Sequence, residues 1–486
     1  MKKIKISQFY SGSSESEQNS NPSFNSNMGG FDIYSDIGKL IPQKELVTQT
    51  LGGSSITDYE LSDFFVTDFN FYSSAKNVAI GNESSISTKP TLFEETSTEG
   101  EWQKDVTNAS SGGVVKGTGV LYQQKPHILS QGGSLFLVRF DSLIATSTPT
   151  SMSGTSNSTQ MFVHPLDDIL YIPVGNKVYT WDGTTLYTGI TLPADKEITS
   201  LTDYGGYLAI ATKSKHSSSN SVTYLWGRDR SLNTLQEQID FGTGDLMILE
   251  NLGGMLVGVS YEQDNGYKLT FRVYSGGEAQ VFKEIYAEGN LLQLKKKTQS
   301  KLYFAVRNSD ALYCLYKNKV GNLTVTKSYF TNNGEVSQLV YGFDLLNNRL
   351  FSNIADTLGG KAFKASKDSN SVYSDTAYYE TTQNPGMDSD DLSKNKQLKR
   401  VYVTYKPKRT SGVKSRVKLF YSVNGGDYVQ ILDEESYSGT FTLETVSELT
   451  GDTFSNFIEV KFKIESQYNL EILEMGYTYE LNQTTI

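Results

Sequence analysis

Three histidines, His127, His164 and His216, and a single cysteine, Cys314, are nearly all the chain offers for nucleophilic, redox or metal chemistry. One cysteine excludes an internal disulfide framework and any multi-cysteine zinc site. His127 and His164 occupy similar places in two repeats, each beside the first strand of a hairpin, which reads as a structural position or as a polar site near a symmetry axis. Cys314 falls inside an apolar strand, the ordinary place of an inert thiol. The carboxylates form two groups: Glu94, Glu95, Glu99 and Glu101 in one stretch, and Asp388, Asp390 and Asp391 in another. Paired acids could hydrolyse a glycosidic bond, but neither group has calcium-loop spacing, and both read as solvated loop charge. A Gly-rich phosphate loop, a Gly-x-Ser-x-Gly elbow and a His-Glu-x-x-His helix are all absent from the sequence. The expectation is that the chain is not an enzyme: no catalytic residue, no cofactor, no metal.

The clearest electrostatic pattern lies near the C-terminus. Between Leu392 and Gly426 stand Lys394, Lys396, Lys399, Arg400, Lys406, Lys408, Arg409, Lys414, Arg416 and Lys418 with no acid, whereas Asp427 to Ile486 holds twelve acids against Lys461 and Lys463. Either basic strands pair with acidic strands in one sheet, or two opposite faces meet between subunits of a ring. The second alternative makes Lys406, Lys408, Arg409, Lys414 and Arg416 a possible subunit interface.

These residues must be carried by strands. The chain has 486 residues, 20% charged and 12% aromatic, with a net charge of -10; the aromatic content argues against wholesale disorder and the acidity against a general nucleic-acid coat. From about residue 70 to 350 an apolar strand, a tight turn and a second apolar strand recur. The anchors just past each turn are Val78, Leu135, Leu170, Leu208, Leu256, Leu302 and Leu350, each seven or eight residues after Phe71, Ile128, Val163, Leu201, Leu249, Leu294 and Phe343. Gly205-Gly206 and Gly253-Gly254 tolerate the positive φ of primed hairpin turns. Two further strand signals lie between successive anchors, so the unit is four-stranded and recurs at the spacing of propeller blades.

The expected fold is therefore all-β: a propeller of seven, or six, blades over 31–380, followed by a β-sandwich or jelly roll over 398–486. Residues 1–30 read as a flexible arm and 381–397 as a linker, and residues 31–36 are the candidate strand that finishes the last blade. The start lacks the apolar core of a signal peptide, and no run is long and apolar enough for a membrane helix.

The Met1-Lys-Lys-Ile-Lys-Ile-Ser-Gln-Phe start, Phe31-Asp-Ile-Tyr-Ser-Asp-Ile-Gly-Lys-Leu, the Gly-Gly hairpins and Val417-Lys-Leu-Phe-Tyr-Ser-Val-Asn-Gly-Gly together resemble β-propeller tail proteins of tailed bacteriophages, including nozzle-like proteins of short-tailed phages. The resemblance implies a structural virion component assembled in the host cytoplasm as a homo-oligomeric ring. Its implied partners are other virion and tail proteins, with transient contact to DNA or the host surface. It implies no catalytic residue. The alternative of a different class is a propeller at the tail tip that binds or cleaves host carbohydrate.

Overall fold

The computed structural model describes residues 1–7, 9, 25–32, 39–42, 46–48, 50–51, 54–55, 59–67, 76–83, 87–98, 101–107, 113–142, 145–146, 150–154, 160–216, 220–227, 234–263, 266–297, 300–309, 311–317, 321–330, 334–344, 349–356, 361–366, 377–407, 414–436, 443–449, 456–467 and 470–482. They are all-β, in many small antiparallel sheets; the one helical element is a single 3-10 turn, Ser389–Asp391. No helix among the described residues is long and apolar enough to cross a membrane. The chain forms two units, residues 46–312 with 331–368, and residues 1–45 with 313–330 and 369–486.

In the first unit strands follow one another up and down. Lys196–Tyr204, Tyr207–Ser214, Val222–Trp226 and Leu235–Asp240 form one four-stranded sheet, and Asp245–Leu252, Met255–Gln263, Tyr267–Tyr274 and Gln280–Ala287 the next. Glycine pairs make the first turn of each: Gly205 and Gly206 have φ of 56° and 86°, Gly253 and Gly254 61° and 85°. A two-residue hairpin with both central φ positive suits the right-handed twist of its strands and excludes a Cβ at little cost only for glycine. Phe162–Val163, Leu170–Val174, Lys177–Trp181 and Leu186–Thr191 repeat the plan upstream. Before them come sheets built on Tyr59–Thr67, Lys76–Glu83, Ser87–Glu95 and Glu101–Thr107, and on Val114–Tyr122, Lys125–Gln131 and Leu135–Ser142. Leu291–Lys297 and Lys301–Val306 follow as paired strands.

The last sheet has only three consecutive strands, Gly334–Asp344, Arg349–Asp356 and Lys361–Ser366; its fourth is Leu46–Thr48, with Ala365 opposite Val47. The closing strand is thus ten residues beyond the expected one. Phe31–Asp32, at the start of the expected closing segment, pairs instead with Ile41–Pro42. First strands meet in a run: Tyr59–Thr67 touches Val114–Tyr122, Lys196–Tyr204 touches Asp245–Leu252, that strand touches Leu291–Lys297, and Gly334–Asp344 touches both Leu291–Lys297 and Tyr59–Thr67.

The core lies between successive sheets. In the strand Leu170–Val174 every residue is buried, because alternate side chains pack in opposite directions. Leu170 and Ile172 join Leu129, Leu135 and Leu137 of the preceding sheet, and Tyr171 joins Ile198, Leu208 and Ile210 of the following one. Val78, Leu170, Leu208, Leu256 and Leu302 all lie on the second strands of their sheets and are fully buried. Leu135 is the exception, on a third strand. Its repeat equivalent lies one strand earlier, which accounts for the uneven spacing around it.

Two larger sheets lie in the second unit. One runs Lys2–Ile6, Leu470–Leu481, Lys396–Pro407, Leu443–Glu448; the other Asn25–Gly29, Ala377–Thr381, Val460–Gln467, Ser415–Val423, Val429–Ser436. In Val460–Gln467 every second side chain is buried, the signature of a sheet with one covered face. Phe462 of one sheet and Tyr477 of the other have ring centroids 4.8 Å apart. Residues 2–6 and 25–29, expected in an arm, are strands, and residues 10–24 lie outside the described residues. The expected linker is likewise partly built in: the Tyr477 hydroxyl donates to the Pro385 carbonyl at 2.7 Å. Lys396 is completely buried and donates to the carbonyls of Leu392, Lys394 and Ile458.

Candidate functional site

Charge is handled in three places. The first is the cross-strand set in the second unit. Antiparallel pairing sets Arg416 opposite Glu435 and Lys418 opposite Asp433. The Arg416 guanidinium grips Asp433 through Nε and Nη2, both at 2.6 Å, and Lys414 meets Glu435 at 2.8 Å. These bonds hold the Asp433 and Glu435 carboxyls below their ordinary range and raise Arg416 above its own. Arg400 pairs with Glu448 at 3.2 Å and Lys399 with Glu480 at 3.3 Å. Lys406 stands opposite Glu471 in the ladder; Lys408 and Arg409 lie outside the described residues. Basic strands therefore face acidic strands inside one domain, and the charges of Lys414 and Arg416 are taken up there.

The second place was not legible as a site. Glu250, on Asp245–Leu252, and Lys295, on Leu291–Lys297, form a buried ion pair of 2.7 Å, with their side chains 6% and 8% exposed. Lys297 reaches the other carboxylate oxygen at 3.1 Å, and Thr202, from Lys196–Tyr204, donates to it at 2.9 Å. Lys295 also donates to the carbonyls of Leu201 and Leu249, and Asn251 donates to Asp203 at 3.0 Å. Three successive first strands are thus joined through one carboxylate. Burial alone would push the Glu250 carboxyl up, but the two ammoniums and the Thr202 hydroxyl hold it below the ordinary range; burial pulls Lys295 down, opposed by Glu250. The only sequence signal was Lys295 and Lys297, two residues apart and so on one face of the strand Leu291–Lys297.

The third place surrounds His127, on Lys125–Gln131. Its Nδ1 lies 2.8 Å from the Lys125 carbonyl, and since that oxygen only accepts, Nδ1 carries the proton and Nε2 presents a lone pair. Burial pushes the imidazole down to about 4. His127, Arg139, Leu137, Thr150, Trp181 and Gly183 are among the residues around a cavity of about 310 Å³. Arg139 spans it, with Nη1 donating to the Gly183 carbonyl at 3.1 Å and Nε 2.9 Å from Asp141. His164, expected to be equivalent, is as buried, but its Nδ1 accepts from the Leu166 backbone amide at 3.2 Å.

The carboxylate groups are not solvated loops throughout. Glu94 and Glu95 are buried on Ser87–Glu95 and accept from Gln103 at 3.3 Å and from Asn77 at 2.6 Å. Asp391 is buried and accepts from Lys2 at 2.5 Å and from Tyr479 at 2.7 Å, so it ties the first strand to the last; Lys2 above all holds its carboxyl down. Asp388 is exposed, as expected, and Glu99 lies outside the described residues. Cys314 is buried. Among the described residues no group of three or more His, Cys, Asp or Glu is placed to hold a metal ion.

No protein-family model matches the chain, and no curated protein matches it. Among solved structures, it is similar to exo-beta-1,3-galactanase from Phanerochaete chrysosporium with galactose, at 11% identity and a TM-score of 0.32, over 89% of this chain and 100% of that one. It is also similar to BBS1N in complex with ARL6DN, at 12% identity and a TM-score of 0.39, over 67% of this chain and 94% of that one. A third is a protein from Lactobacillus plantarum, at 13% and 0.39, over 52% and 83%. The expectation that the chain is not an enzyme is corrected here: two of the similar structures are of the galactanase, with galactose and with beta-1,3-galactotriose. At these identities and TM-scores the likeness transfers neither a reaction nor a catalytic residue.

Proposed function

We propose that the chain is a structural component of a tailed-bacteriophage virion, a tail protein of nozzle or tail-tip type that assembles as a ring with other virion proteins in the host cytoplasm. In this reading the sheets from Tyr59 to Ser366, the last closed by Leu46–Thr48, are the blades of a seven-bladed, or six-bladed, β-propeller, and the two larger sheets of the second unit are a β-sandwich. The contact of Gly334–Asp344, in the last sheet, with Tyr59–Thr67, in an early one, supports the propeller, because a sheet array without closure leaves an exposed edge at each end.

The observation that carries the functional reading is the construction of the N-terminal segment on which the resemblance rests. It is built into the second unit: Lys2–Ile6 is an edge strand on Leu470–Leu481, Phe31 is buried, and Leu40 bridges Ile472 in both directions at 3.0 Å. A component held in a particle under load benefits from termini fixed by backbone hydrogen bonds, which local fraying would otherwise release.

Light scattering and negative-stain images of the purified chain test the ring. The expected result is a discrete assembly of several copies with rotational symmetry; a monomer at every concentration, with and without salt, overturns it.

A further inference from the structure

We propose that Asn424 is a modification site: the Gly425 backbone nitrogen attacks its side-chain amide and turns it into a carboxyl, and the paired hairpin holds this reaction off. Asn424 and Gly425 are the central residues of the turn between Ser415–Val423 and Val429–Ser436, with φ of 48° and 73°. The Gly426 amide closes that turn on the Val423 carbonyl at 2.9 Å. Positive φ at both positions is the primed hairpin turn, for which Asn-Gly is a preferred pair. Both residues are exposed, so water reaches the group that reacts. Glycine has no Cβ to hinder approach to its amide.

The chemistry needs only water. The Gly425 nitrogen bonds to the Asn424 Cγ and gives up its proton, the bond from Cγ to Nδ2 breaks, and ammonia leaves with that proton. One water molecule opens the resulting five-membered imide at either carbonyl. One opening gives aspartate in the original main chain. The other gives isoaspartate, which routes the main chain through Cγ and lengthens it by an atom, so the two-residue turn no longer sets the same register.

Three hydrogen bonds oppose the first step. The Asn424 Oδ1 accepts from the Ile458 amide at 2.9 Å and from the Glu459 amide at 3.1 Å, and the Asn424 amide donates to the Glu459 carbonyl at 3.0 Å. These bonds continue the ladder in which Val423 lies opposite Val460, and they anchor the carboxamide on the segment that enters Val460–Gln467. Closing the imide ring turns the carboxamide about its side-chain bonds, and the two bonds to Oδ1 resist that turn. The site is therefore shut in the paired hairpin and opens when the hairpin frays from residues 458 and 459. Nothing in this inference depends on the virion reading.

Peptide mapping by mass spectrometry tests this on the full chain, incubated in mildly alkaline buffer with and without urea. In urea the peptide holding Asn424 is expected to gain the mass of an amide-to-acid exchange, with isoaspartate detected by enzymatic methylation. In buffer alone the conversion is expected to be slower by about tenfold or more, the equivalent of at least about 1.4 kcal/mol. Ile458→Pro, which lacks one of the two donors to Oδ1, is expected to speed the reaction in buffer several-fold. Hydrogen exchange at Ile458 and Glu459 should rise over the same range of urea as the conversion. No conversion in urea overturns the site, and equal rates with and without urea overturn the gate. A folded Ile458→Pro that reacts at the wild-type rate also overturns the gate, as does free exchange of both amides while Asn424 stays intact. If Ile458→Pro does not fold, the hydrogen-exchange comparison on the wild type decides.

Discussion

Two charge sets, one in each unit, are built in opposite ways. In the first, Glu250, Lys295 and Thr202 are sealed where three successive first strands converge; in the second, Arg416, Asp433, Lys414 and Glu435 lie along exposed strands and meet across the ladder. An exposed pair exchanges water for a partner in high dielectric and gains little. A buried carboxylate is tolerable only while its partners are all in place. The buried set therefore fixes the relative position of three sheets, and the exposed set contributes solubility and register more than stability.

The largest expected effect comes from breaking the buried set on one side. Lys295→Met leaves Glu250 in the interior without its closest cation, and the expected loss is about 3–5 kcal/mol of unfolding free energy, read by denaturant titration. The double variant Glu250→Gln with Lys295→Met removes both charges and is expected to recover most of that loss. A single variant as stable as wild type would mean that the pair is solvated, and the contrast between the two charge sets would fail.

That cluster also marks where sequence reading stopped. Strands, glycine hairpins and the four-strand unit were legible because a period of two and a Gly-Gly turn are local properties: Leu208 and Leu256 lie on matching second strands. The Glu250–Lys295 pair is a contact across 45 residues between different sheets, and strand periodicity places a side chain on a face without saying what faces it. Glu94 and Glu95 were misread as loop charge because the strand carrying them, Ser87–Glu95, contains Pro90 and polar residues and has weak apolar alternation. The closing strand was placed at 31–36 rather than 46–48 for a similar reason: a three-residue strand, Leu46–Thr48, is too short for periodicity to register.

The next effect is a pH dependence located in the first unit. His127 is pushed down to about 4 by burial, against about 6.5 in an unfolded chain. Between these values the unfolded state binds the extra proton, so stability is at its full value above about pH 6.5 and falls as pH drops toward 4. The expected size is about 3 kcal/mol, at roughly 1.4 kcal/mol per pH unit. His127→Phe should flatten this part of the profile. An unchanged slope in that variant would place the sensitivity elsewhere.

The smallest effect belongs to the exposed set. Arg416→Ala is expected to leave the melting midpoint nearly unchanged, and any difference from wild type should vanish in high salt, where exposed charges are screened. A large, salt-insensitive loss would show that the cross-strand pairs act as the buried cluster does, and the comparison would have to be redrawn.

The structural role is tested most directly on particles. Tailed particles carrying an epitope-tagged copy of the chain, purified on a density gradient and imaged with a gold-labelled antibody, should show label at the tail with rotational regularity. Particles that are complete and infectious without label, with the tagged chain left free in the lysate, would contradict it.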